Sequence, residues 1–247
     1  ASLAFLWQDQ RFWTLQSMSK LILSRDTHQI LKNFCTINAS IMIRAGNTLK
    51  TISVGENVVS QFKCEENFPQ TFGIYDLSEF LSGLSLFDTP ILEFESNKYV
   101  NIVGNGRKAR YYFSDPEITL KAAPEKDIAD PETDLEFNIS QEDIQALQKA
   151  SQVYCLPDLA FCSDADGKIT IKLFDKEDDT CNVYEQDVVG NSTGEYQLHM
   201  KMENLRLYTG DYHVQVKEKW ASIWKHQRLD LKYLIALEPW WKRNFYG

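Results

Sequence analysis

One order of elements can be read twice along this chain, and the repetition limits its possible folds more than any motif does. Residues 24–43, SRDTHQILKNFCTINASIMI, describe a helix running into a strand. At 100° per residue, Thr27, Ile30, Leu31 and Phe34 gather on the side a helix buries. Strand patterns follow in ASIMIRA, LKTISVG and NVVSQFKC. A short helix, YDLSEFLSGLSLF, sets Leu77, Phe80, Leu81 and Leu84 against Ser78, Ser82 and Ser85, and strands return in PILEFES, YVNIVGN and KARYYFS. The order restarts at Ser140, a good N-cap for QEDIQALQKASQ, with acids in the first turn where the helix dipole favours them. Ile144, Leu147 and Ser151 face inward there. Strands then read in LAFCSDA, KITIKLF, CNVYEQD and EYQLHM, a short helix in MENLRLY, and closing strands in DYHVQVKEKW and LKYLIALEP. First and second helices begin near 24 and 76, then near 140 and 202. This predicts an α+β chain built from a duplicated unit.

Between the copies, KAAPEKDIADPETD holds two prolines and little to bury, the signature of a linker. The expected organisation is an extension or tag over 1–17, a first domain over 18–121, a linker over 122–134 and a second domain with an aromatic C-terminal tail over 135–247. At 247 residues there is ample chain for two cores. Hydrophobic residues make up 43% and charged residues 25%, as in soluble globular proteins. No apolar run approaches the ~18 residues that cross a bilayer, so no membrane partner is expected. ASLAFLWQDQRFW is broken by polar residues, unlike a signal peptide, and the chain reads as intracellular. Five cysteines without CxxC spacing read as free thiols rather than disulfides or zinc ligands.

Few motifs survive a physical test. GNGRKA matches a dinucleotide fingerprint in letters, but a strand follows where a helix N-terminus must receive the pyrophosphate, so Asn105-Gly106 reads as a hairpin turn. DADGK puts its glycine at the wrong place for a calcium loop and reads as another hairpin. The four histidines are scattered, and no nucleophile elbow or phosphate loop is present. The expectation is a non-enzyme without cofactor or metal.

Charge is distributed unevenly. The chain carries a net charge of −9, which argues against coating nucleic acid with its whole surface. Residues 18–121 nevertheless balance, with eleven Lys/Arg and eleven Asp/Glu, so the acid lies in the second half. The outer face of the first helix shows Arg25, His28, Gln29, Lys32 and Thr36 with no carboxylate. Gln145, Lys149 and Gln152 face out on the second long helix.

LILSRDTHQILKNFCTINASIMIRAG, FGIYDLSEFLSGLSLF and KYLIALEP resemble the sliding clamps of T-even-type bacteriophages, the processivity factors of their DNA polymerases. The resemblance covers most of residues 21–238 and implies a DNA clamp fold. In that fold three two-domain subunits form a homotrimeric ring, with helices lining the hole and antiparallel sheets outside. Double-stranded DNA would pass through and be held by counterion release without base reading. Arg25, Lys32 and Lys149 then occupy DNA-facing positions, with His28 assisting when protonated. Arg107, Lys108 and Arg110 beside the first-domain hairpin, and Lys201 and Arg206, are further candidates for the lining.

The resemblance also implies partners: the replicative DNA polymerase, an ATP-driven clamp loader and late-transcription factors, in the cytoplasm of an infected bacterium. Their peptides would dock in an apolar pocket for which Pro124, Ile128, Leu237, Pro239 and Trp240 are candidates. SLAFLW near the start resembles such peptides, so residues 1–17 are expected to be able to fold into that pocket.

Overall fold

Ser24 opens the first helix by accepting a hydrogen bond from the Thr27 amide at 3.2 Å, and Asn38 closes it. Between them, the computed structural model shows Thr27, Ile30, Leu31 and Phe34 fully buried, each apolar side chain contributing about 1.5–3 kcal/mol by leaving water. The structure describes residues 19–115, 120–130 and 132–238. In the first repeat the elements are β1 (Ser19–Leu21), α1 (Arg25–Ile37), β2 (Ile41–Ile43), β3 (Gly46–Ile52), β4 (Val58–Phe68), β5 (Phe72–Ile74), α2 (Leu77–Leu84), β6 (Ile91–Phe94), β7 (Tyr99–Gly104) and β8 (Arg107–Tyr112). The second repeat holds β9 (Leu135–Ile139), α3 (Gln141–Tyr154), β10 (Asp158–Ser163), β11 (Ile169–Phe174), β12 (Tyr184–Val188), β13 (Gly190–Ser192), β14 (Tyr196–Lys201), β15 (Tyr212–Lys217), β16 (Ala221–His226) and β17 (Leu231–Ala236). The expected second short helix is only a 3-10 turn, Met202–Asn204.

The pairing order proves the duplication. The first repeat forms a sheet β1-β6-β7-β8, and the second repeats it as β9-β15-β16-β17. The second repeat's other sheet runs β12-β11-β10-β14. Its counterpart is split into β4-β3 and β2-β5, because β2 and β3 do not pair. All ladders are antiparallel, and the fold is the duplicated α+β arrangement expected from the sequence.

The two repeats share one sheet. β17 pairs with β4, from Leu231 opposite Phe62 to Ile235 opposite Val58, making a seven-stranded sheet β13-β9-β15-β16-β17-β4-β3. Its inner face carries Phe62, Phe137, Trp224 and Tyr233 under the helices. The strand β16 (ASIWKH) does not alternate in burial, since Ala221 to Trp224 are all covered.

The linker is not an idle spacer. Ala123 and Ile128 are buried, and its acids meet cations from the sheet: Lys50 with Asp127 at 2.7 Å, Lys225 with Asp130 at 2.9 Å, Lys217 with Asp134 at 2.9 Å.

Candidate nucleic-acid interface

The direction of α1 is set at its N-terminus. Glu66, buried on β4, accepts from the Ser24 amide and from Thr27 Oγ1, the latter at 2.6 Å. Burial alone would raise the Glu66 pKa, but the hydrogen bonds from Thr27 and Ser24 together hold it below the usual carboxylate range. The helix thus turns its buried stripe to the core and leaves Arg25 and Lys32 exposed. Neither forms a salt bridge among the described residues. Asp26, also exposed, flanks them in the first turn, where it complements the helix dipole.

His28 behaves differently from the sequence expectation. Partial burial and then the neighbouring Lys32 lower its pKa, so it presents a neutral ring at pH 7 rather than a charge. It lines a shallow groove with Lys32, Cys35, Ser78 and Ser82 of α2, and Ser85, which caps that helix. These small side chains, with Leu81 among them, leave an uncharged floor beside Lys32.

α3 starts with a reciprocal capping box between Ser140 and Asp143 and exposes Gln145, Lys149 and Gln152. Glu142 is exposed about 20° from Lys149 on the helical wheel, so this face is less cationic than that of α1. Aligning the caps Ser24 and Ser140 puts Gln145 at the place of Gln29, and Lys149 at that of Asn33.

The two long helices are held together by a segment that sequence reading assigned to charge. Asn33 on α1 donates to the Arg206 carbonyl at 3.0 Å, and Gln148 on α3 donates to the adjacent Leu205 carbonyl at 3.2 Å. Arg206 itself is exposed, but its guanidinium donates to the Thr36 carbonyl at the negative end of α1 and to the Glu203 carbonyl at 2.9 Å. It stands at the helical surface as a clip between repeats. No signal in the sequence marks those carbonyl partners.

The remaining candidates are not gathered on this surface. Lys201 is bound to the buried carboxylate of Asp158 at 2.6 Å. On β8, Ala109 and Tyr111 face the core, with Tyr111 edge-on to Phe80 of α2, so Lys108 and Arg110 point away from the helices. Arg110 lies 4.0 Å over the Tyr99 ring and donates to Asn101; Arg107 opens the strand. All three stand on a sheet edge with no neighbour among the described residues.

The peptide-pocket candidates are likewise spread out. Ile128 sits over Gln61, whose amide oxygen accepts its N–H at 3.0 Å. Gln61 is opposite Lys232, and Leu237 lies five residues further along, about 16 Å away at 3.3 Å per residue. Pro124 is exposed over β3, where Arg44 and Lys50 hold the flanking carbonyls of Ala123 and Glu125. At the far end Leu237 donates to the Trp220 carbonyl, and the preceding Ala236 amide donates to Asn57 in the turn that carries exposed Val54. Pro239, Trp240 and residues 1–17 lie outside the described residues.

Chemically, beside the exposed acids Asp26 and Glu142 the helical surface offers separated cations, neutral amides and hydroxyls, groups suited to phosphate oxygens. No group of three or more metal-ligating side chains occurs among the described residues, and no described helix is long and apolar enough to cross a membrane.

Two family models and several known proteins match the chain. The family described as DNA polymerase processivity factor matches residues 24–112, and the family described as gp45 sliding clamp, C terminal, matches residues 136–239. The sliding clamp of Vibrio phage KVP40 is 32% identical over 221 residues, covering 87% of this chain and 98% of that protein. That of Enterobacteria phage T4 is 28% identical over 222 residues, covering 87% and 96%. Among solved structures, A. fulgidus PCNA bound to the C-terminal region of FEN-1 aligns over 90% of this chain and 99% of that one, with a TM-score of 0.65 at 12% identity. PCNA from Entamoeba histolytica aligns over 90% and 98%, with a TM-score of 0.65 at 11% identity.

Proposed function

The chain belongs to the sliding-clamp family of phage DNA polymerase processivity factors, and from that premise we propose that three copies close into a ring around duplex DNA. One observation carries the reading. Within the chain, the repeats are joined by β17 pairing with β4. By the order of elements, β8 is the first-repeat counterpart of β17, and β12 is the second-repeat counterpart of β4. Both have an unpaired edge among the described residues. Exposed strand edges invite pairing. Joining β8 of one copy to β12 of the next repeats the internal junction between chains, a head-to-tail contact that closes when the rotation allows.

The side chains support this join. β8 exposes Lys108, Arg110 and Tyr112, while β12 exposes Glu185 and Asp187, with Val183 and Val189 exposed at its two ends. Opposite charges facing each other across a ladder are favourable, and the apolar residues gain cover. Arg107, Lys108 and Arg110 then serve the subunit contact, whereas Arg25, Lys32 and Lys149 face the hole. Phosphates attract these cations without fixing register, so the ring is free to slide.

In this role the protein tethers the replicative polymerase in the cytoplasm of an infected bacterium, as a binding protein and not an enzyme. An ATP-driven loader opens it. Polymerase and late-transcription factors dock through apolar peptide ends near Val54, Trp220 and Leu237. Retention on circular duplex tests the reading. Clamp loaded on a circle should stay bound until one cut linearises the DNA and should then dissociate. Equal retention on circular and linear DNA would contradict encirclement.

A further inference from the structure

The seven-stranded sheet carries an unusual row on the face away from the helices. Strand register places His213, Lys225, Lys232, Gln61 and Lys50 directly opposite one another across β15, β16, β17, β4 and β3. Their chain neighbours Trp224, Tyr233, Phe62 and Leu49 are buried on the other face, so the row points outward. Lys225 and Lys232 are a like-charged cross-strand pair, with Cβ atoms about 5 Å apart, which is unfavourable by itself. Lys50 stands three strand spacings from Lys225, about 14 Å. Lys63, exposed two residues beyond Gln61 on β4, extends the strip.

The acidic connector lies along this row. Asp130 bridges Lys225 at 2.9 Å and Lys232 at 3.3 Å. Asp127 meets Lys50 at 2.7 Å, and Glu125 approaches Arg44 at 3.7 Å. Buried Ile128 sits on Gln61. Lys50 keeps only 7% of its side chain exposed, against 23% for Lys225 and 26% for Lys232. Asp127 and Asp130 each have their pKa lowered chiefly by the hydrogen bond from Lys50 and from Lys225 respectively, so both stay charged over the physiological range.

We propose that the connector is a built-in electrostatic cover, whose carboxylates occupy a cationic strip on the outer sheet that would otherwise hold duplex DNA against the outside of the protein. A strip about 14 Å long meets several phosphates of a duplex that carries one charge per ~1.7 Å of axis. A protein that must slide cannot let its exterior grip the same polymer. The acid of the linker is therefore placed opposite particular lysines rather than spread as general repulsion. The inference rests on DNA being the polyanion the protein meets, but not on ring closure.

The test measures binding to covalently closed circular duplex without loader or ATP, so that no DNA can be threaded through a closed ring. E125Q/D127N/D130N should bind about tenfold more tightly than wild type at low salt, with log K falling against log salt at a slope of about −3, one counterion per uncovered lysine. D166N/D179N/E195Q, exposed acids elsewhere with the same charge change, should leave binding unchanged. Adding K225Q/K232Q to the connector variant should remove the gain. A folded connector variant binding no better than wild type overturns the proposal, and so does an equal gain from the control. If the triple variant does not fold, D130N alone should bind about threefold better, and no gain there is equally decisive. A wild type that is monomeric in solution would undo the ring and leave this result standing.

Discussion

The Tyr233 hydroxyl donates to Asn33 Oδ1 at 2.6 Å, linking the last strand of the second repeat to the first helix of the first across 200 residues of chain. The Tyr233 hydroxyl oxygen also accepts the Tyr208 amide at 3.1 Å, and the Asn33 side-chain amide donates to the Arg206 carbonyl. Deep burial pushes the Tyr233 pKa up, so it stays a neutral donor. One side-chain pair thus fixes the cationic helix relative to the domain junction.

Removing that hydroxyl leaves Asn33 and the Tyr208 amide short of a partner. Tyr233→Phe should destabilise by about 1–3 kcal/mol, the cost of leaving buried polar groups unpaired. Denaturant titration should show a lower midpoint with an unchanged slope.

Glu66 gives a pH dependence with a defined sign. Its folded pKa is depressed, so its stabilising contribution is complete above the unfolded value near pH 4.5 and is lost as pH falls through the folded value. Stability measured from pH 6 down to pH 3 should therefore fall less steeply in Glu66→Gln than in wild type. The variant should already be weaker at pH 7, because an amide replaces a charged acceptor capping α1.

Reversing Arg25 and Lys32 together should shorten retention on circular DNA by about tenfold or more, and most at low salt. Oligomeric mass should not change, since both residues are exposed on α1 and belong to neither β8 nor β12. Undiminished processive synthesis by the double mutant would remove these residues from the lining.

How much of this could be read in the sequence depended on whether the partner was local. Helical periodicity found Thr27, Ile30, Leu31 and Phe34 because a helix places its own burial. It named Ser151 on α3, where Ala150 completes the buried stripe. β16 gave no alternating pattern, because Ala221 to Trp224 are buried on both faces of the strand. The connector itself looked like a spacer, since the lysines that answer its acids lie 70–100 residues away in sequence. Arg206 and Lys201 read as spare charge for the same reason. Their partners, a helix-end carbonyl and a buried aspartate, appear only in three dimensions.

The proposed join can be reversed in sign. K108E/R110E on β8 should dissociate the assembly by setting acid against Glu185 and Asp187. Adding E185K/D187K with K168E/K172E, which preserves the pairs Asp187 and Glu185 make with Lys168 and Lys172 in the same chain, should restore it, because complementarity returns with the charges exchanged. Sedimentation of the two variants side by side would read this directly.

Light scattering of the purified wild type tests the central claim most directly. The account predicts one species at three times the 28.6 kDa chain mass, persisting on dilution into the low micromolar range. A species at one or two chain masses under those conditions would contradict a ring closed by β8 and β12.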